Sequence, residues 1–291
     1  MERSPILILF DNEETCTAFY GSNAPNIFSS IAPISMCCAS AAASYVDTLK
    51  QYVNAPYCRT IVAIGKGFCE LDLLAEFKNC MPACKEKVGG GLTCFRLNHD
   101  THLCLCRDLQ SVDQISNVLR DYYRIIDGRH MLALSQEIGA LLKARGWTIS
   151  SAESCSGGLI VKTLTDIAGA SSYVTGGACT YTADAKIHVL DVPSTVISAH
   201  GIVSRETALA MAKGAQSLYH STVALSTTGV AGPGADEDGN PEGLVYVGLA
   251  IDETVTAYKY TADTYSVLMD RDLIRKGCVI FALEKLRESL L

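Results

Sequence analysis

The sequence lacks an excess of positive charge, and it lacks long hydrophobic runs. Its 291 residues include 24 Lys and Arg against 31 Asp and Glu, which gives a formal net charge of −7. Proteins that bind the nucleic-acid backbone need a concentrated basic face, so this balance argues against a nucleic-acid partner. No apolar stretch approaches the roughly 20 residues that cross a bilayer, and no secretory signal is evident. We therefore expect a cytoplasmic protein with no membrane partner.

The composition that is present, 48% hydrophobic and 19% charged, is typical of a globular protein. A chain of 291 residues is long for one ordinary domain, so we expect two. Ten of the thirteen cysteines lie in the first 106 residues. Their context favours reduced thiols in a sheet over a disulfide framework or a zinc site, and we predict no metal. The spacings nearest to a metal motif are Cys80 with Cys84, and the group Cys94, His99, His102, Cys104 and Cys106.

The first domain, predicted at residues 1–130, alternates short strands with helices and indicates a cysteine-rich α/β fold. The predicted strands are PILILF, RTIVAIG, the stretch after the three glycines at 89–91, and HLCLC. The predicted helices are SAAASYVDTLKQYV at 40–53, ELDLLAEFKNC at 70–80 and SVDQISNVLRDYYRII at 111–126. The glycine triplet is interpreted as a plain turn, because no Lys-Ser pair follows it.

The second domain, predicted at residues 131–291, has clearer signals for where its helices and strands begin and end. Its first helix is predicted to begin at Ser135 and to end at Gly146. Strands are predicted in WTISS, YVTGGACTYT, STVALSTTG and LVYVGLAI, and helices in SGGLIVKTLTDIAG, RETALAMAKGAQSLY and the last 21 residues. This alternation favours a sheet covered by helices on both faces.

The stretch SAESCSGGLI, residues 151–160, carries small polar groups where a strand turns into a helix. Ser154 lies at the tip, where a hydroxyl could attack a carbonyl while free amides at the helix start stabilise the oxyanion. The alternative is that Ser154 or Ser156 simply caps the helix. From this stretch alone both interpretations stay open.

A nucleophilic serine needs a base, and the histidines of the second domain lie in stretches with few other functional groups. Lys186 of TYTADAKIHVL follows a predicted strand, and a desolvated lysine can lose its proton near neutral pH. Read alone, a lysine in such a stretch is more often a solvated surface residue. Lys162 is a weaker candidate, because eight residues of helix at 1.5 Å each would carry it about 12 Å from Ser154.

A third stretch, STTGVAGPGADEDGNPEG, places a glycine-rich loop after a strand, which suits a ligand site at the strand's carboxyl end. Its acidic run at 236–238 is interpreted as a solvated loop tip. Arg271 and Arg275 lie four residues apart on one face of the last helix. Either could bind a phosphate or carboxylate, or form a surface salt bridge.

Together these stretches resemble the CinA C-terminal domain family, whose active members are nicotinamide-nucleotide (NMN) amidohydrolases. The motifs that carry the resemblance run in the family's order from about residue 134 to residue 291: KARGWTISSAESCSGGL, TDIAGASSYVTGGACTYTADAK, AHGIVS, STTGVAGPG, GLVYVGLA and DRDLIRKG. Small departures are Ser156 where threonine is usual and Met269 where glycine is usual.

The resemblance implies a three-layer α/β/α domain that converts NMN into nicotinate mononucleotide and ammonia without a metal or other cofactor. The family's nucleophile falls on Ser154 and its general base on Lys186. Positions that look like substrate-binding or supporting ones are Ser171, Tyr181, Thr228 and Arg271. The glycine loop from Gly229, with Arg271, is the predicted phosphate site.

The predicted partner is therefore a small molecule, NMN, and a two-fold homodimer is the commonest arrangement for such a protein. The alternative function is a catalytically silent module that binds a pyridine nucleotide, and a third is hydrolysis of another small amide or ester. Full-length CinA proteins carry further domains ahead of this one. We expect residues 1–130 to be at most a diverged remnant of them.

Overall fold

The computed structural model describes residues 128–262 and 270–291 continuously, and the earlier part at its strands and a few further positions. Those earlier residues are 6–10, 18, 22, 34–38, 60–64, 85–88, 92–96, 102–106, 115, 119, 120, 124 and 125. The chain divides into two compact units, Met1–Tyr123 and Arg124–Leu291, called unit 1 and unit 2 here. Among the helices in these described segments, none is both long and apolar enough to cross a bilayer.

Unit 1 contains a six-stranded sheet in the order β2-β1-β3-β6-β5-β4. Its strands are β1 (Ile6–Phe10), β2 (Ile34–Cys38), β3 (Thr60–Ile64), β4 (Lys85–Val88), β5 (Leu92–Arg96) and β6 (His102–Cys106). The first four in sheet order pair in parallel, and β5 and β4 continue the sheet antiparallel. The apolar strand β3 is buried along its whole length, as expected of a strand in the middle of a parallel sheet.

The predicted strands of unit 1 are confirmed, whereas β2 and β4 were not predicted. Some predictions for unit 1 lie outside the described residues. These are the helices at 40–53 and 70–80, the glycine turn at 89–91, and most of the helix at 111–126. Cys104 and Cys106 are buried in β6. Of the other candidate metal ligands, Cys80, Cys84 and His99 also lie outside, and the parts that the structure describes contain no cluster suited to a metal ion.

Unit 2 contains a five-stranded mixed sheet in the order β11-β10-β9-β7-β8. Strand β7 pairs in parallel with β8 and β9, and β9, β10 and β11 are antiparallel. The strands are β7 (Ile149–Glu153), β8 (Val174–Cys179), β9 (Val223–Gly229), β10 (Val245–Ile251) and β11 (Thr254–Tyr260). The helices are α1 (Arg129–Arg145), α2 (Leu159–Thr165), α3 (Ala183–Leu190), α4 (Ser194–His200), α5 (Arg205–Tyr219) and α6 (Arg271–Leu290), with a 3₁₀ turn at Ala170–Ser172.

The helices of unit 2 pack on both faces of this sheet. On one face, Ala152 and Ala224 pack with Met211 of α5, and α5 in turn contacts α3 and α4. On the other face, the side chain of Glu153 meets the start of α2, because adjacent strand residues point in opposite directions. Helix α6 packs on α1, α2 and β10. Unit 2 is therefore an α/β domain whose parallel strands β7 and β9 end at the same edge.

Two predictions about helix ends in unit 2 are wrong. The first helix begins at Arg129, and Ser135 lies inside it, where its hydroxyl donates to the carbonyl of Met131 instead of capping. The helix after the serine stretch ends at Thr165, short of the predicted Gly169. Gly146 is confirmed as a C-cap in the left-handed conformation, with φ 65°.

Candidate active site

Ser154 directly follows β7, at the carboxyl end of a strand whose five residues are all buried. Its amide donates to the carbonyl of Thr227 on β9 at 3.0 Å, which ties it to the neighbouring strand. Its carbonyl accepts from the amide of Gly157 at 3.1 Å, closing a tight turn. Gly157 and Gly158 have φ values of 62° and 89°, a conformation that favours glycine, so the two glycines allow this turn between strand and helix.

Lys186 lies on α3, a short helix that begins after Thr182, whose hydroxyl accepts from the amide of Ala185. The side chain of Lys186 is fully buried. Its Nζ donates to Oγ of Ser154 at 3.0 Å and to the carbonyl of Thr180 at 2.7 Å. Thr180 is itself bound to the end of β7, because its amide donates to the carbonyl of Glu153 at 2.8 Å. Backbone hydrogen bonds thus hold both members of the Ser154–Lys186 pair.

The environment of Lys186 favours the neutral amine. Burial lowers the pKa of Lys186 to about 8, an effect that the negative charge of the nearby Cys155 side chain, when ionised, partly opposes. Both hydrogen-bond partners described for its Nζ are uncharged, so neither offsets the cost of burying an ammonium group. A neutral amine within hydrogen-bond distance of a hydroxyl can accept its proton, which is what a general base must do.

Glu153 is a fully buried carboxylate that the sequence reasoning passed over. It accepts from the amides of Ile160 and Val161, both at 3.0 Å, at the start of α2. It also accepts from the hydroxyls of Ser151 at 3.0 Å and Ser156 at 2.8 Å. The prediction that helix-start amides hold the oxyanion therefore fails for these two amides, because Glu153 occupies them. An acidic residue just ahead of a helix was a usable signal, since helix N-termini attract negative charge.

Ser156 belongs to the same buried network. Its hydroxyl lies 2.6 Å from that of Thr227, so the network connects the turn to β9. The alternative that Ser154 or Ser156 caps the helix is not observed: Gly158 occupies the cap position, and no side chain caps the helix from there.

A cavity of about 450 Å³ opens beside Ser154. It brings together five of the predicted site residues, which come from four separate stretches of sequence: Ser154, Tyr181, Thr228, Gly229 and Arg271. The remaining wall is formed largely by Ile202, Val203 and the loop from 230 to 238. Lys186 supports the site from beneath through its bond to Ser154. The volume and mixed lining are suited to a small polar molecule.

Tyr181 and Arg271 contact each other at the rim of this cavity. One guanidinium nitrogen of Arg271 donates to the Tyr181 hydroxyl at 2.8 Å, and another donates to the carbonyl of Gly232 in the glycine loop. The hydroxyl of Thr228 donates to the carbonyl of Ile202 at 2.7 Å, which holds another wall segment. Gly229 has no room for a side chain, because a Cβ there would lie 2.5 Å from the carbonyl oxygen of Leu244.

Ser171 does not line this cavity. It lies in the exposed 3₁₀ turn that precedes β8. The next residues enter the sheet beside the start of β7, where the amide of Ile149 donates to the carbonyl of Tyr173 at 2.7 Å. Since β7 and β8 are parallel, Ser171 is at the opposite edge of the sheet from Ser154, roughly 16 Å away along five strand residues.

The other basic candidates serve different purposes. Arg275 is half-buried, and its guanidinium donates to the carbonyls of Cys155 and Ser156. Its described partners are therefore backbone groups and not a surface carboxylate. Lys162 is exposed and pairs with Asp166 at 2.6 Å.

Unit 2 is similar to known proteins. The family model described as the CinA C-terminal domain matches residues 131–290. The chain belongs to this family. Among solved structures, the competence/damage inducible protein CihA from Agrobacterium tumefaciens is 38% identical with a TM-score of 0.51. The match covers 55% of this chain and 95% of that one. A competence damage-inducible protein A from Klebsiella pneumoniae is 29% identical with a TM-score of 0.52, covering 55% and 96%.

Curated relatives of the CinA family are longer than this chain. A CinA-like protein of Chloroherpeton thalassium is 42% identical over 159 residues, 55% of this chain and 38% of the relative. A protein of Thermoanaerobacter pseudethanolicus, named as competence-damage inducible, is 34% identical over 240 residues, 80% of this chain and 56% of the relative. This second match is longer than unit 2, so it extends into unit 1. The chain spans about half the length, or less, of the curated relatives that it matches.

Proposed function

We propose that unit 2 hydrolyses the carboxamide of nicotinamide mononucleotide, giving nicotinate mononucleotide and ammonia. The observation that carries the proposal is the 3.0 Å hydrogen bond between the buried Nζ of Lys186 and Oγ of Ser154. The depressed pKa of Lys186, about 8, supports its role as the base. The resemblance of the site's motifs to those of NMN amidohydrolases supports the choice of substrate.

The reaction begins when the neutral amine of Lys186 takes the proton of Ser154 and the serine oxygen bonds to the amide carbon. The protonated lysine then delivers this proton to the amide nitrogen, the carbon–nitrogen bond breaks, and ammonia leaves. A water molecule next attacks the acyl-serine ester and gives its proton to Lys186. The ester bond breaks, Ser154 regains its hydrogen, and the carboxylic acid is released. Overall, one amide and one water give one acid and one ammonia.

The cavity wall supplies the groups that would hold the rest of the substrate. Arg271 offers a guanidinium at the rim, and the loop from Gly229 to Gly234 passes close to it through the Gly232 carbonyl. We assign the substrate's phosphate to this end. The far end of the loop is acidic, and Asp236 is already engaged with Asn240 at 2.9 Å, so that end disfavours a phosphate.

The test is ammonia release from NMN by the purified chain. Ser154→Ala is expected to lower kcat by roughly 10³-fold or more while the thermal unfolding midpoint stays near that of the unsubstituted protein. If the unsubstituted protein is stabilised by NMN yet releases no ammonia across a range of pH, the amidohydrolase proposal is wrong, and a nucleotide-binding module is the better description. A panel of other small amides and esters would reveal a different substrate for the same residue pair.

A further inference from the structure

Arg275 is bound to the turn that carries Ser154. Its Nε donates to the carbonyl of Cys155 at 3.1 Å, and its Nη2 donates to the carbonyl of Ser156 at 2.9 Å. The contact joins α6 to a turn 119 residues earlier in the chain. A planar guanidinium that donates to two successive carbonyls fixes the orientation of both peptide groups, which one surface ion pair would not do.

The charge of Arg275 is directed at the backbone. Among the described salt bridges none includes Arg275, whereas its neighbour Lys276 pairs with Asp272 at 2.6 Å. Arg271, one helical turn earlier, reaches the cavity rim instead. The two arginines that look equivalent in sequence therefore have separate tasks.

Fixing the Cys155 carbonyl also fixes the Ser156 amide, because the two groups belong to one planar peptide unit and point in opposite directions. A cation at the carbonyl oxygen polarises that unit and strengthens its N–H as a donor. Within the described residues, the amides of Cys155 and Ser156 donate to no oxygen or nitrogen acceptor, and both interact with the sulfur of Cys155, a weak acceptor. Glu153 occupies the amides of Ile160 and Val161, whereas the amides of Cys155 and Ser156, next to Ser154 in the chain, meet a weak acceptor that an oxyanion can displace.

We propose that the backbone amides of Cys155 and Ser156 form the oxyanion site of this hydrolase and that Arg275 is the positioning residue that fixes their turn and polarises the Ser156 amide. The inference rests on the proposed serine-lysine hydrolysis. It assigns Arg275 no contact with the substrate. Its loss therefore lowers the rate of acylation and leaves substrate binding nearly unchanged.

Gly157 provides a second way to perturb the contact. A Cβ at this position would lie 2.9 Å from Nη2 of Arg275, and φ is 62°. Gly157→Ala must therefore displace the guanidinium without removing it. The substitution also strains the turn, so it complements the arginine variants and does not replace them.

The experiment measures covalent labelling of Ser154 by a fluorophosphonate. In this reaction the serine oxygen bonds to phosphorus, the P–F bond breaks, fluoride leaves, and the proton passes to Lys186. The labelling reports the nucleophile and its oxyanion site whether or not NMN is the substrate. The variants are Arg275→Ala, Arg275→Lys and Gly157→Ala, with Lys276→Ala as a matched control that removes a cation one residue away.

We expect Arg275→Ala to slow labelling by about 10- to 100-fold, with the KM for NMN within about 2-fold of its normal value. Arg275→Lys, which can reach only one carbonyl at a time, should recover part of the rate, and added guanidinium ion should recover part of the rate of Arg275→Ala. Gly157→Ala should resemble Arg275→Ala, and Lys276→Ala should label normally.

Normal labelling of folded Arg275→Ala would overturn the inference. A slow rate that neither lysine nor guanidinium recovers would also overturn it, because loss of packing alone predicts that result. If unsubstituted protein labels at Ser154 but leaves NMN intact, the substrate assignment fails and the inference about Arg275 survives. If Ser154 of the unsubstituted protein does not label, the proposed nucleophile is wrong and the inference falls with it.

Discussion

The two edges of the sheet in unit 2 carry similar residues but differ in chemistry. At the carboxyl end of β7, Ser154 meets a fully buried lysine, and its turn is bonded to β9. At the opposite edge, Ser171 lies exposed in a short turn, and the hydroxyl of its neighbour Ser172 donates to the carbonyl of Gly169 at 2.9 Å. Small polar residues are common to both edges. What distinguishes them, among the residues that the structure describes, is the desolvated base at the first edge.

The strongest test of this difference compares two lysines. Lys186→Met should lower kcat for NMN by about 10²- to 10⁴-fold, the usual contribution of a general base. Lys162→Met should leave kcat unchanged, because Lys162 is exposed and pairs only with Asp166. Steady-state ammonia release measures both. Equal losses in the two variants would mean that burial of Lys186 is unrelated to catalysis.

A smaller effect is expected from pH. Burial lowers the pKa of Lys186 to about 8, and only the neutral amine can take the serine proton. Below this pKa the neutral fraction rises with pH, so kcat/KM should increase by about 10-fold per pH unit and level off above about pH 8. The measurement is initial rate against pH at low NMN concentration. A profile that falls as pH rises through this range would contradict the assignment of Lys186 as a base.

The smallest effect is expected at the other edge. Ser171→Ala should change kcat and KM for NMN by less than about 2-fold, because this side chain lies roughly 16 Å along the sheet from Ser154. The matched change at the cavity is Thr228→Ala, which removes the hydrogen bond to Ile202 and should raise KM more than Ser171→Ala does. A loss of activity in Ser171→Ala as large as that in Thr228→Ala would mean that Ser171 reaches a site in the assembled protein.

Much of the fold of unit 2 could be predicted from local pattern. Helix α5 has the predicted limits, Arg205 to Tyr219, because its apolar residues recur at helical spacing after a serine cap. Strand β11 was missed because its hairpin turn contains no glycine. Asp252 instead adopts φ 49°, a conformation that aspartate tolerates. Ser135 was mistaken for a cap since the residues ahead of it, from Arg129, lack a side-chain cap of their own.

The site could be predicted in part. Ser154 was suggested by its place at a strand-to-helix turn, but Lys186 lies in a polar stretch that resembles a solvated surface. Only its packed position shows that the amine is buried. The task of Glu153 had a local signal, its place just ahead of a helix, but the task of Arg275 was not predictable by spacing, because its carbonyl partners come near only after folding.

The sequence by itself determined most of the strands and helices of unit 2, the family to which the chain belongs, and the turn that presents Ser154. Those features depend on residue type and short-range spacing, which the chain carries before it folds. The tertiary structure alone decided that the Lys186 amine is desolvated, that Glu153 occupies the helix amides, and that Ser171 lies outside the cavity. Desolvation and long-range hydrogen bonds arise when distant segments pack, so these outcomes depended on how β7, β8 and β9 come together.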